Sequence, residues 1–325
     1  MCTDLNRENM RTWLIGSGGM ARDYLKALSE LNVAVTVIGR GETSAISFEE
    51  TTGFPVERGG LEAYLQDGKY TLPDNAIVAV GVERLAPTVT ALLKSGVKRI
   101  LVEKPGGLYG HDILELSSFA ASYSSEVYVA YNRRFYSSVR KAKEMILDDG
   151  GVQSFSFEFT EWGHEIENLT KAPGVKEQWV LGNSSHVIDL AFYLGGTPKE
   201  LFALHAGSLS WHPNAAIFSG AGSTIGGALF SYQANWDAPG RWGIEVCTRN
   251  YRFILRPMET LQIIRKGSVT IEQCTLEEEE LDKKFKPGLF LQTKAFLHSA
   301  DLTSLCNITE HSMMLPNYLK IAGYK

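Results

Sequence analysis

The segment Gly16-Ser17-Gly18-Gly19-Met20-Ala21 constrains the fold of this chain more than any other. It lies between a short apolar run, Thr12 to Ile15, and a stretch in which Met20, Tyr24, Leu28 and Leu31 recur at helical spacing. A turn of the form G-x-G-x-x-[GA] that joins a strand directly to a helix belongs to the first crossover of a parallel sheet. Gly16 permits the tight turn, Gly18 lets a phosphate approach the backbone, and Ala21 allows the helix to pack closely on the strand. The helix N-terminus that follows favours an anion. Glycine-rich turns also occur for purely structural reasons, but this context favours dinucleotide binding. Gly16, Gly18, Gly19, Met20 and Ala21 are therefore the first cofactor-binding candidates.

The chain continues in the same alternation. Val33 to Ile38, Ala76 to Val80, Arg99 to Val102 and Val127 to Tyr131 read as buried strands, and Pro87 to Lys94 reads as a helix ended by Gly96. Strands alternating with helices predict a doubly wound parallel sheet, a Rossmann domain, over residues 1–131. The pattern changes at Asn132. Ser137 to Leu147 has one apolar helical face, and Val152 to Phe159 alternates strictly. Further strands are expected at Leu201 to His205, Gly227 to Ala234, Gly243 to Thr248, Tyr251 to Leu255, Thr260 to Arg265 and Val269 to Cys274. Helices are expected at Ser184 to Leu194, Phe290 to Ser299 and Glu310 to Ile321. Residues 132–325 are thus expected to form an α+β domain on a large, mostly antiparallel sheet.

Composition narrows the function classes. The 325 residues carry a formal net charge of −5, which argues against nucleic acid or an anionic membrane as a partner. No apolar run reaches membrane-spanning length, and Met1 to Met10 lacks the apolar core of a secretory signal. The four cysteines form no C-x-x-C pair and no zinc spacing, so no metal site is expected. These features together predict a cytoplasmic protein.

Two further segments carry chemistry. Glu103-Lys104-Pro105 follows the strand Arg99 to Val102, at the carboxyl edge where Rossmann sheets bind ligands. A lysine there can exchange a proton with an oxygen undergoing oxidation or reduction, although position alone would equally fit a surface lysine. His186 and Asp189 share a face of the otherwise apolar helix that follows Asn183, and buried polar groups need a partner or a ligand.

The glycine motif, Glu103-Lys104-Pro105, Tyr131-Asn132-Arg133-Arg134-Phe135 and His186-x-x-Asp189 occur here in an order and spacing that resembles the Gfo/Idh/MocA family, glucose–fructose oxidoreductase and inositol dehydrogenase among them. The resemblance spans Arg11 to about Gly196. It implies hydride transfer between NAD(P) and a sugar, polyol or related compound, with Lys104 and His186 as catalytic residues and a cis Lys104–Pro105 bond. Glu103 and Lys104 then join the cofactor-binding candidates, and Arg133, Asn183 and Asp189 are substrate-binding candidates. Of Arg133 and Arg134, one is expected in a structural ion pair and the other facing the ligand. Many relatives carry an aspartate four residues before the histidine. Here that position is Gly182, and Asn183, Glu161 and His164 are the candidates to replace it.

The second strand ends in Gly39-Arg40-Gly41, with Ser44 beyond. NAD-selective Rossmann domains place an acid at that tip to hold the ribose 2′-hydroxyl. Here Gly39, Arg40 and Ser44 are cofactor-binding candidates, and a guanidinium at the tip favours NADP over NAD; Glu42 is the residue that argues for NAD. An apolar open sheet predicts a homodimer or homotetramer. Rival readings are a reductase of a non-sugar carbonyl or conjugated bond, and a catalytically silent dinucleotide-binding regulator.

Overall fold

The computed structural model describes residues 10–298 and 301–324. The expected signal-free N-terminus (residues 1–9, with Cys2) and Ser299, the expected end of a helix, lie outside the described residues. The chain divides into two compact units. The first runs to Tyr131 and includes Lys284–Met313; the second comprises Asn132–Lys283 and the residues from Met314 onward. The change of pattern at Asn132 coincides with the division between units, whereas Lys284–Met313 groups with the first unit instead of the second.

The first unit is built on six parallel strands: β1 (Arg11–Ile15), β2 (Ala34–Ile38), β3 (Val56–Glu57), β4 (Asn75–Val78), β5 (Arg99–Val102) and β6 (Glu126–Val129). Their order is β3-β2-β1-β4-β5-β6, with a short antiparallel strand, Cys306–Asn307, beyond β6. This is the doubly wound order of dinucleotide-binding sheets, and it reverses between β1 and β4. The middle strands are β-branched or apolar and have no exposed side chain over Leu14, Ile15, Ile77, Val78, Leu101 and Val102, as a sheet covered on both faces requires. The helices up to Tyr131 are α1 (Gly19–Glu30), α2 (Glu42–Thr52), α3 (Gly60–Asp67), α4 (Leu85–Ser95) and α5 (Gly110–Ser122), and Leu289–His298 adds another to this unit. Helix α1 buries Ala21, Tyr24, Leu25 and Leu28 along one stripe.

The second unit carries an eight-stranded sheet: β7 (Ser154–Glu158), β8 (Pro198–Ala206), β9 (Ile217–Thr224), β10 (Leu229–Asn235), β11 (Gly243–Cys247), β12 (Tyr251–Leu255), β13 (Gln262–Arg265) and β14 (Glu272–Gln273). Its order is β14-β13-β12-β11-β7-β10-β9-β8, and all neighbours are antiparallel except the pair β7 and β10. Three helices precede or interrupt the sheet: α6 (Ser137–Asp148), the single turn α7 (Gly163–Ile166) and α8 (Ser185–Gly195). Every residue of α8 but Tyr193 is buried. Phe192 meets Phe155, Phe157 and Phe230 edge-on at 5.1–5.9 Å ring separation. Each such buried ring contributes about 1.5–3 kcal/mol from area alone, so α8 is held firmly against the sheet.

Candidate active site

In the first unit the carboxyl ends of β1 and β4 open onto a cavity of about 480 Å³. Gly16, Gly18, Gly19, Met20, Arg40 and Ser44 line it, with Ala79 to Gly81 opposite. Gly16 has φ of 122°, and a Cβ there would lie 2.2 Å from the Ala79 carbonyl oxygen, so only glycine fits. By contrast, nothing lies within 4 Å of a Cβ built on Gly18 or Gly19, which leaves their backbone open to an approaching group. Helix α1 has no side-chain cap and no acid in its first turn. Its N-terminal N–H groups and dipole are thus available to an anion. Ala21 lies outside the cavity lining, fully buried on the packed face of the helix.

The tip of β2 is shaped around Arg40. Gly60 has φ of 81°, and a Cβ on it would approach the Arg40 side chain to 3.1 Å, so its bare backbone makes room for that arginine. Gly39 is not among the lining residues; a side chain on it would strike Val56 and Ser17. The Ser44 hydroxyl donates to the Gly41 carbonyl at 2.9 Å, so Ser17 donates to Ser44. Glu42, the residue that argued for NAD, is exposed and paired with Arg58 at 3.2 Å. Arg84, paired with Glu62, also lines the cavity, a position for which the sequence carried no motif.

The Lys104–Pro105 bond is cis, as the resemblance implies. Glu103 beside it accepts a hydrogen bond from the Tyr24 hydroxyl at 2.8 Å, and burial pushes its carboxyl pKa up. Neither Glu103 nor Lys104 is part of the cavity lining at the glycine turn.

In the second unit, His186 sits on the first turn of α8, directly after a π-helical turn over Val180–Ser184 that contains Gly182 and Asn183. Wide turns of this kind are common at functional sites. Glu161, which follows β7 and is 2% exposed, accepts hydrogen bonds from Asn183 Nδ2 at 2.9 Å and Ser184 Oγ at 2.7 Å. A carboxylate, that of Glu161, therefore reaches the π-helical turn. His164 is exposed.

Arg134 makes the structural ion pair expected of one of the two arginines. Arg134 donates to Asp189 through Nε at 2.8 Å and through a terminal nitrogen at 2.6 Å, with both residues buried. Asp189 also accepts from the Tyr318 hydroxyl at 3.4 Å. Its carboxylate is thus committed to an ion pair within the unit, which does not fit the substrate-facing role expected of it. Arg133 instead stacks on Trp242, its guanidinium 4.7 Å from the ring, and His186 lies 6.3 Å from the same ring. Arg241 covers Trp242 as well, a residue that sequence reasoning missed. Trp211 and Trp236 stack at 5.5 Å with Trp179 edge-on, and all three are buried core. Among the described residues no cluster of three or more His, Cys, Asp or Glu is placed to hold a metal ion, and no helix is long and apolar enough to cross a membrane.

No family model matches the chain. Solved structures match it over nearly its whole length. Levoglucosan dehydrogenase in complex with NADH and L-sorbose superposes with a TM-score of 0.78 at 16% identity, covering 97% of this chain and 96% of that one. UDP-N-acetylglucosamine 3-dehydrogenase from Acidithiobacillus ferrooxidans gives a TM-score of 0.74 at 14% identity, covering 96% of each. The resemblance to the Gfo/Idh/MocA family is borne out in the fold. A curated relative, trans-1,2-dihydrobenzene-1,2-diol dehydrogenase from Mus musculus, is 23% identical over 167 residues. That match spans 50% of this chain and 49% of the mouse protein, about half the length of each.

Proposed function

We propose that the chain is an NAD(P)-dependent oxidoreductase that transfers a hydride between a nicotinamide cofactor and a sugar, polyol or sugar derivative. One observation carries the reading: the cavity at the point where the sheet order reverses, lined by an open glycine turn and headed by an uncapped helix N-terminus. These features fit a pyrophosphate, with Gly18, Gly19 and the first turn of α1 holding it. The sugar-dehydrogenase names of two matching structures support the substrate class.

A bound nicotinamide would supply or accept the hydride. Lys104 gives a proton to, or takes one from, the substrate oxygen, and His186 polarises and orients that oxygen. This pairing is carried over from the motifs shared with the family. Glu161 sets the turn before His186 through Asn183 and Ser184. Arg40 at the tip of β2 favours NADP, and the outward pairing of Glu42 with Arg58 supports that preference. Exposed Phe202, Leu204 and Leu229 on the second sheet support a homodimer or homotetramer.

The test is a dehydrogenase screen with both cofactors across hexoses, inositols, nucleotide sugars and keto-sugars. Oxidation of NADPH or reduction of NADP by a sugar-class compound is the expected result. Cofactor binding with no turnover on any of them would favour the regulator reading.

A further inference from the structure

The surroundings of Trp242 narrow the substrate class; the inference rests on the sugar reading above. Arg133 and Arg241 both lie over the Trp242 ring, at 4.7 and 4.9 Å. Arg241 also lies 4.8 Å from the ring of Trp162, which is 47% exposed. The Trp162 indole N–H donates to the Gly240 carbonyl at 3.2 Å, which holds that ring in place. Two aromatic faces and two guanidinium groups thus gather in one part of the second unit.

Two buried donors in this cluster, Arg133 Nε and Trp242 Nε1, have no hydrogen-bond partner among the described residues. An unsatisfied buried donor costs about 1–3 kcal/mol, and native chains rarely retain one without a use for it. Both are donors, so what they await is an acceptor.

The charges indicate which kind. Burial lowers the Arg133 pKa, and repulsion from Arg241 acts in the same direction. The buried acid in the cluster, Glu161, lies 3.5 Å from Arg241 and already accepts from Asn183 and Ser184. Its charge offsets one guanidinium, and the other acid that acts on Arg133, Glu259, is exposed, so solvent screens it. A carboxylate supplies one negative charge, whereas a phosphate monoester brings about −1.5 to −2 and would overshoot.

We propose that the substrate is an acidic sugar whose carboxylate is bound by Arg133 and Arg241, with the half-exposed Trp162 packing against the sugar ring. Planar guanidinium groups suit a planar carboxylate, and aromatic rings suit the apolar faces of a sugar.

The full-length chain, with cofactor, is titrated with hexuronates and hexonates and with their neutral parent sugars, following tryptophan fluorescence and calorimetric heat. At least one acid should bind about tenfold or more tightly than its parent. Arg241→Gln, at a half-exposed position, should weaken that acid by about ten- to a hundredfold, the range of a charge-assisted hydrogen bond, and weaken its neutral parent far less. Arg133→Lys, which keeps the charge but not the fork, should weaken it as well. Neutral sugars that bind as tightly as every acid, a panel in which no acid binds, or an Arg241→Gln variant that loses both classes equally would overturn the inference. Turnover of neutral sugars without any advantage for acids overturns it while the oxidoreductase reading stands. Acid binding that depends on Arg241 without any hydride transfer supports it and counts against that reading.

Discussion

Removing the carboxylate of Asp189 should be among the most damaging single changes in the second unit. Asp189 and Arg134 are 3% and 4% exposed, and two hydrogen bonds of 2.6 and 2.8 Å join them in a fork. The Tyr318 hydroxyl adds a third, longer contact to the carboxylate, and the Tyr193 ring covers the guanidinium at 4.7 Å. Asp189→Ala removes the carboxylate that the buried guanidinium grips through two hydrogen bonds. Breaking a buried pair on one side costs about 3–5 kcal/mol, a factor of roughly a hundred to several thousand in the folding constant. The paired substitution Arg134→Met with Asp189→Leu removes both charges and fills similar volume. It should recover most of the loss, because replacing a buried pair by apolar groups is commonly neutral or stabilising. Urea unfolding followed by circular dichroism measures all three proteins. A loss below about 1 kcal/mol for Asp189→Ala, the value of an exposed pair, would refute the argument that this pair is buried in the folded protein.

Other expected outcomes follow from the site. Lys104→Ala should lower kcat at least about a hundredfold with little change in cofactor affinity, the low end of general acid–base contributions; steady-state kinetics checks it, and near-normal turnover would remove Lys104 from the chemistry. Arg40→Ala should weaken NADPH by about ten- to a hundredfold and leave NADH nearly unchanged, since a charge-assisted hydrogen bond contributes roughly 1.5–3 kcal/mol; calorimetric titration of both cofactors decides, and tighter NADH binding to the unmutated protein would contradict it. His212 is fully buried, its Nδ1 donating to the Ala215 carbonyl at 2.7 Å and its Nε2 therefore accepting from the Tyr324 hydroxyl at 2.9 Å. Burial lowers its pKa from 6.5, so the unfolded chain takes up a proton before the folded one. Its contribution to stability should be present above about pH 6.5 and lost as the pH falls through the folded pKa. Urea midpoints across that range should show the decline, and His212→Asn should flatten it.

The elements legible in the sequence were those whose apolar pattern is set by burial on one face or two. Arg99–Val102 and Tyr251–Leu255 were read to the residue, and α6 nearly so. Strand β9 was missed because Ile217–Thr224 is rich in glycine and serine, which read as turn. Its glycines instead admit close neighbours: a Cβ on Gly220 would lie 2.4 Å from the Tyr232 hydroxyl, and one on Gly222 1.9 Å from the Glu200 carbonyl oxygen. Helix α2 buries only Ala45 and Phe48, too few to make a stripe. The glycine turn and the adjacent pair Arg133 and Arg134 are visible as local motifs. The reach of Glu161 to Asn183 and the gathering of Arg241 on Trp162 depend on where distant strands place their ends, which no local spacing encodes.

The central claim is hydride transfer to a sugar with Lys104 handling the proton. Its most direct test is a mass-spectrometric trace of deuterium from cofactor deuterated at nicotinamide C4, incubated with the full chain and a panel of keto-sugars, acidic and neutral. Deuterium should appear on the newly reduced sugar carbon with the unmutated protein, and be nearly absent with Lys104→Ala despite retained cofactor binding. Cofactor that binds but keeps its deuterium in the presence of every sugar, or equal transfer by the Lys104→Ala protein, would contradict it.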